Sequence, residues 1–310
     1  MNRWTIGLAA GRVEGAPLRF AAELARVLDD GDKMRVLPVV TRGIFTNMDD
    51  LLYLKGIDTA IIYSDILEEL KDRPEIQKNV NYVANLFPAE MHVLVRPEIK
   101  TLADLKGKVV NFNTHGTAAA YTGPIVFKRL RVGSINTHIP HPVAIGKMKK
   151  GQGNIAGLVF VSSKPLAPFS RPWPKGFHFL RVPYANALKD YYLPSMLTHK
   201  DYPNLIPEGQ RILTISVPAV LAAFNWKKHT DRYRRMERFT QYFFKRLHVL
   251  QNKAGYHPKW KDVNLAAKVP GWNRFPAVTE ILKRKKKSRS TVSRKELMQE
   301  FLEWRETRGK

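Results

Sequence analysis

The chain contains no cysteine among its 310 residues. That excludes disulfides, a thiol nucleophile and any cysteine-based zinc site, and it suits an exported bacterial protein as well as a cytosolic one. Long apolar runs are also lacking, and none reaches the roughly eighteen residues of a membrane-spanning helix. Acidic residues are scarce: 27 Asp and Glu face 52 Lys and Arg, for a net charge of +25. Such a balance admits nucleic acid, an anionic membrane surface or acidic small molecules as partners. Common catalytic signatures are missing too, with no P-loop, no Gly-x-Ser-x-Gly and no His-Glu-x-x-His. His138 and His141 are the one close histidine pair. With no third ligand, and with Pro140 and Pro142 beside them, they do not make a metal site. The reading is of a non-enzyme that implies no cofactor. No leader peptide is visible, because Met1-Asn2-Arg3 runs straight into an apolar stretch. The chain is therefore either cytosolic or an exported protein whose leader has been removed.

What is present is a rhythm. Hydrophobic residues make up 44% of the chain, enough for one large domain or two ordinary ones. The apolar run Trp4 to Ala10 meets a loop with Gly11 and Gly15. Phe20, Leu24, Val27 and Leu28 then recur at helical spacing. A second strand (34–40), a helix carrying Met48, Leu51, Leu52 and Leu54, and a third strand (59–63) follow. Strands alternating with helices predict βαβ units and a mostly parallel sheet. Two β-rich runs (80–86 and 91–95) come next, then a short capped helix and turn over 101–108. The pattern restarts with a strand over 109–113, helices over 117–130 and 143–150, and a strand over 155–161. The run 212–223 carries the chain back, and an amphipathic helix follows it with Tyr233, Met236, Phe239, Phe243, Leu247 and Leu250 on one side.

Basic residues concentrate late. Residues 226–247 carry eight Lys or Arg against Asp231 and Glu237, and 283–289 (KRKKKSR) carries six with no acid. We expect a mobile basic linker over 283–292 and a terminal helix over 293–306, opened by a capping box of Ser293 and Glu296. The aromatics of 233–247 fall at helical spacing, as core residues do, and no nucleic-acid recognition motif accompanies them. No nucleic acid is expected as a partner.

Seven blocks, in this order, carry a resemblance: IGLAAG with FAAELARVL (6–28), DTAIIYSDIL (58–67), LFPAEMHVLVRPEIKTLADLKGKVVNFNTHGTAA (86–119), GLVFVSSKP (157–165), YLPSMLTHKDYP (192–203), ISVPAVLAAFN (215–225) and HPKWKDVNL (257–265). Together they resemble the TAXI-type solute-binding subunits of TRAP transporters, over most of residues 4–275. The resemblance implies a two-lobed α/β fold of the type II periplasmic-binding-protein kind. Each lobe is then a mostly parallel sheet flanked by helices, with two crossing segments. Lobe one would be 1–96 plus 212–310 and lobe two 97–211. It also implies a periplasmic protein that closes by hinge motion on a small solute, a carboxylate or amino acid, and delivers it to membrane permease subunits. The first loop departs from the family pattern: Gly11-Arg12-Val13-Glu14-Gly15 stands where the family has Gly-Thr and a tyrosine pair. A cytosolic enzyme or ligand sensor on the same lobes is the alternative, and a nucleic-acid binder the third.

Candidate ligand contacts follow from chemistry at strand ends. Asn113, Thr114, His115, Gly116, Thr117 and Ala118 join a strand to a helix start, where unpaired amides favour an anion. Gly116 permits close backbone approach, the Thr114 and Thr117 hydroxyls can donate, and His115 can titrate. A plain threonine N-cap is the other reading of Thr117. Tyr63 and Ser64 end the third strand, and Asp65 beside them is expected to cap the next helix. Gly11 and Arg12 follow the first strand and Arg42 the second; either arginine could fork onto a carboxylate. Glu90 would accept from a ligand amine or act as a hinge residue. Ser162 and Ser163 close the last strand of the second unit.

Overall fold

The computed structural model describes residues 3–13, 15–66, 73–269, 272–286 and 298–299. The first lobe opens with β1 (Thr5–Gly11), buried along its whole length, and α1 (Ala16–Leu28), which turns Phe20, Ala21, Leu24, Val27 and Leu28 into the core. β2 (Arg35–Val40), α2 (Asn47–Tyr53) and β3 (Thr59–Tyr63) follow. β1 lies between β2 and β3, parallel to both. Pro38 is tolerated because β2 is the edge strand, where a missing ladder N–H costs nothing. Asn47 opens α2 fully buried; its side-chain amide donates to the carbonyls of Ala9 and Ile61 and so staples the helix to two strands.

After α3 (Pro74–Asn79) comes β4 (Val80–Val95), a single 16-residue strand where the sequence predicts two runs. β5 (Val109–Asn111), α4 (Ala118–Arg129), β6 (Ile135–Thr137), α5 (His141–Lys149) and β7 (Ile155–Ser162) build the second lobe, in which β5 pairs in parallel with both β6 and β7. Two short strands, β8 (His178–Phe179) and β9 (Leu193–Thr198), precede β10 (Arg211–Phe224) and the long α6 (Asp231–Asn252). The expected helix over 101–108 is only a 3-10 turn at Ala103–Leu105, with the Asp104 carboxylate accepting from the Lys100 and Thr101 amides.

The strand order β2-β1-β3-β10-β4-β7-β5-β6 explains the two lobes. β4 is antiparallel to β10 over its first part and to β7 over Glu90–Val95. Glu90 sits at the change of partner, opposite both Ser216 and Ser162. β10 makes the return crossing, pairing with β9 through Ser216 and with β3 and β4 beyond it. Pro88 and Pro218 face each other in this ladder. Neither has an N–H, so the pairing is weakest where both strands pass from lobe to lobe. This order makes a two-lobed α/β architecture with two crossing strands.

The largest core packs α1 and α6 against the sheet around fully buried Trp260, whose ring lies 4.5 Å from Phe20. Its indole N–H donates to Glu23, buried on α1, at 2.6 Å. A helix over 276–286 follows, so residues 283–286 of the expected linker are helical. Apart from 298–299, the remainder of that linker and the terminal helix lie outside the described residues. Among the described residues no helix is long and apolar enough to cross a membrane.

Candidate functional site

Parallel strands aim their carboxyl ends the same way, so the loops after β1, β2 and β3 meet those after β5 and β7 at the seam between the lobes. The turn over 113–117 is built locally. Asn113 takes φ 64° and Gly116 φ 85°. The Asn113 side-chain oxygen accepts from the His141 amide at 3.2 Å, and its carbonyl lies 3.1 Å from His138 Nδ1. Thr117 is the N-cap of α4: its hydroxyl accepts from the Ala120 amide at 3.3 Å and donates to the Thr114 carbonyl at 2.8 Å. That hydroxyl is occupied by the turn itself, which is the N-cap reading of this residue. Ala118 is the first residue of α4 and nearly buried. His115 stacks on His138 with centroids 4.1 Å apart. Burial, and then the neighbouring His115, lower the His138 pKa.

The first lobe meets this turn closely. The Arg12 guanidinium donates to the Thr114 hydroxyl at 3.2 Å, and the Gly11 carbonyl accepts from the Thr41 amide at 3.0 Å, joining the two loops that face the turn. Gly43, at φ 147°, lies so near the turn that a Cβ built on it would stand 2.0 Å from the Gly116 carbonyl oxygen. A Cβ on Gly116 would meet the Arg42 carbonyl at 3.2 Å. Beside this contact is a cavity of ≈ 370 Å³, lined by Arg42, Phe45 and Thr46 from one lobe and His115, Gly116, Ala120 and Tyr121 from the other. The Phe45 and Tyr121 rings are 4.9 Å apart. A guanidinium, an imidazole and a helix amino terminus beside two rings suit a small anion with an apolar body.

Behind the cavity the seam is polar and buried, with Tyr63, Ser64, Glu90 and Ser163 all below a tenth exposed. Tyr63, at the end of β3, hydrogen-bonds Ser162, at the end of β7, and its burial raises the phenol's pKa. The Ser64 hydroxyl donates to the Tyr191 carbonyl at 3.4 Å, and the Ser163 hydroxyl is buried with no partner among the described residues. Glu90, 1% exposed, accepts from Lys259 Nζ at 2.7 Å and from the Lys164 amide at 3.0 Å. Both oxygens are engaged by the protein, Oε1 by Lys259 and Oε2 by Lys164.

The helix that Asp65 is expected to cap runs into residues 67–72, outside the described residues. The Asp65 carboxylate reaches across the seam, where Oδ2 accepts from Thr122 on α4 at 2.6 Å and from Tyr192 at 3.2 Å. Burial pushes its pKa up to about 6 against those hydrogen bonds and the more distant Arg129. The folded state therefore holds this proton more tightly than the unfolded chain does. The resulting stabilisation is complete below the ordinary carboxyl value of 3.8 and is lost as pH rises through about 6. Wild type should lose about 3 kcal/mol more than Asp65→Asn across that window. Urea unfolding of both proteins at pH 4 and pH 7 checks this; parallel pH profiles would sink it.

Sequence reasoning missed Phe45, Tyr121, Thr122, His138, Tyr192 and Lys259. Tyr121 and Thr122 carried a signal, since they lie one helical turn beyond the recognised helix start. Tyr192 carried none, because it reaches Asp65 across 127 positions of chain. Among the described residues no group of three His, Cys, Asp or Glu could hold a metal ion.

No protein-family model matches the sequence, and no curated protein matches it. Solved structures do. A TRAP periplasmic solute-binding protein from Shewanella oneidensis, with bound succinate, is 10% identical at a TM-score of 0.48, covering 79% of this chain and 78% of its own. A mutant of ArgBP from T. maritima is 18% identical at 0.44, covering 78% and 89%. The Synechocystis CcmR regulatory domain in complex with 2-PG is 12% identical at 0.47, covering 81% and 98%. At these scores the architecture rests on the chain's own strand order and the site on its own residues.

Proposed function

We propose that this protein captures a small anionic solute, a carboxylate first of all, between its lobes, and delivers it from the periplasm to a TRAP-type membrane permease. The observation that supports this best is the turn over 114–117 at the amino terminus of α4, faced by Arg12 and Arg42 beside the ≈ 370 Å³ cavity. Thr114, His115 and Gly116 would hold the anion with Arg42, while Tyr63, Ser64, Ser162 and Ser163 would line the inner wall. Lobe one would comprise 1–96 with 212–310 and lobe two 97–211, moving about the Pro88–Pro218 crossing. Closure would expel water and strengthen every charge interaction inside.

A thermal-shift series with dicarboxylates, amino acids, organic phosphates and uncharged sugars tests the reading. A ligand at a hundredfold excess over its Kd stabilises the folded form by about 2.7 kcal/mol. We expect a rise with one carboxylate class that disappears in Arg42→Ala, and recovery of the ligand chemically unchanged. A rise with uncharged solutes alone would refute an anion site, and turnover of the ligand would favour an enzyme.

A further inference from the structure

We infer that the face formed by α6 and the helix over 276–286 is a docking surface for an anionic lipid bilayer. This is independent of the solute reading. On α6 Arg234 and Lys245 are exposed and Arg232, Arg235, Arg238 and Arg246 half-buried, against Asp231 and Glu237, and the helix over 276–286 carries exposed Lys283, Arg284, Lys285 and Lys286 against Glu280 alone. The two helices lie side by side and run the same way. Tyr233 packs on Phe275 near their starts, centroids 5.4 Å apart, and Lys285 Nζ lies 5.4 Å from the Phe244 ring near the end of the second. Their exposed cations thus form one broad face, not a single stripe.

The face points away from the site. Arg235 donates to the Thr5 carbonyl where β1 begins, Arg238 to the Lys33 carbonyl just before β2, and Arg232 pairs with Asp58 just before β3. α6 therefore crosses the amino ends of these parallel strands, while their carboxyl ends reach the seam. The two poles stand apart by the length of β1, roughly 20 Å. Docking here would leave the cavity open to solvent.

Lipid fits this face better than nucleic acid. The aromatic rings on it are already covered by cations: Arg238 lies 3.5 Å over Trp4, Arg232 4.6 Å over Trp226 and Arg246 4.9 Å over Tyr242. Rings covered in this way are closed to stacking bases. Cations held over rings on a broad face match a plane of phosphates, each contributing without any fixed register.

The test is sedimentation of the full chain with vesicles of two parts phosphatidylcholine to one part phosphatidylglycerol, beside pure phosphatidylcholine, at low salt and at about 0.5 M salt. Binding to the anionic vesicles alone, lost at high salt, is expected. Glutamine at Arg234, Lys245, Lys283, Arg284, Lys285 and Lys286, all exposed, should weaken it at least about tenfold. Glutamine at Lys106, Lys108, Lys150, Lys175, Lys189 and Lys200 removes the same charge from exposed positions elsewhere and should leave it within about twofold. Thermal melts confirm that both variants fold. Three results would each overturn the inference: no binding to anionic vesicles at low salt, equal loss in the two variants, or tighter binding to a DNA oligonucleotide than to the vesicles.

Discussion

Lys259→Ala is expected to lose about 3–5 kcal/mol of stability at neutral pH, far more than an exposed ion pair could account for. Glu90 is 1% exposed at the point where β4 changes lobes, and among the described residues Lys259 Nζ is the one cationic group bonded to its carboxylate, at 2.7 Å. Taking the lysine away leaves a buried carboxylate with only the Lys164 amide, at 3.0 Å. Burial already raises the Glu90 pKa despite the attraction of Lys259. Because the folded state holds that proton more tightly, the variant should recover stability as pH falls and Glu90 becomes neutral. Glu90→Gln combined with Lys259→Met removes both charges and should regain most of the loss. Urea unfolding of the two singles and the double measures this. A loss under 1 kcal/mol for Lys259→Ala would mean that water or another cation reaches the carboxylate, and the buried Glu90–Lys259 pair would not be holding this crossing.

Gly43→Ala is expected to hold the lobes apart. The new Cβ would fall 2.0 Å from the Gly116 carbonyl oxygen, a distance no side-chain adjustment can relieve because both partners are backbone. The φ of 147° adds strain of about 1–3 kcal/mol. The cheapest escape is separation of the two loops, with loss of the Arg12–Thr114 bond beside them. Small-angle scattering should show a larger radius of gyration. Affinity for any solute that needs the shut seam should drop at least about tenfold, because only the closed fraction binds. Gly31→Ala is the control: it shares a positive φ, 57°, but its Cβ would meet nothing within 4 Å. It should carry strain without opening. Unchanged scattering in Gly43→Ala would show that the contact is absorbed locally.

These two sites mark where sequence reading stopped. α1 was legible because Phe20, Leu24, Val27 and Leu28 repeat at helical spacing, and β1 and β3 because each is a short apolar run after which the chain turns. The start of α4 was legible because Thr117 is a good N-cap after a glycine. By contrast β6, with Ile135 and Asn136 exposed at the sheet edge, has no apolar alternation to find, and β9 is mostly exposed on both faces. β4 read as two runs because Pro88 and Glu90 fall between the β-rich stretches 80–86 and 91–95, and only pairing with β10 and β7 makes it one strand.

The two lobes were only what the family resemblance implied; the sequence by itself determined the alternation of strands and helices, the strongly basic charge and the glycines and threonines of the turn over 113–117. Those are properties of neighbours along the chain: periodicity, capping and composition act within a few residues. The tertiary structure alone decided that Arg12 meets Thr114 across 102 positions, that Asp65 is tied to Tyr192 across 127, and that Lys259 neutralises Glu90 across 169. No local preference encodes such pairs. They exist because burial in the seam makes an unpartnered charge or hydroxyl costly, and the fold brings a partner within reach.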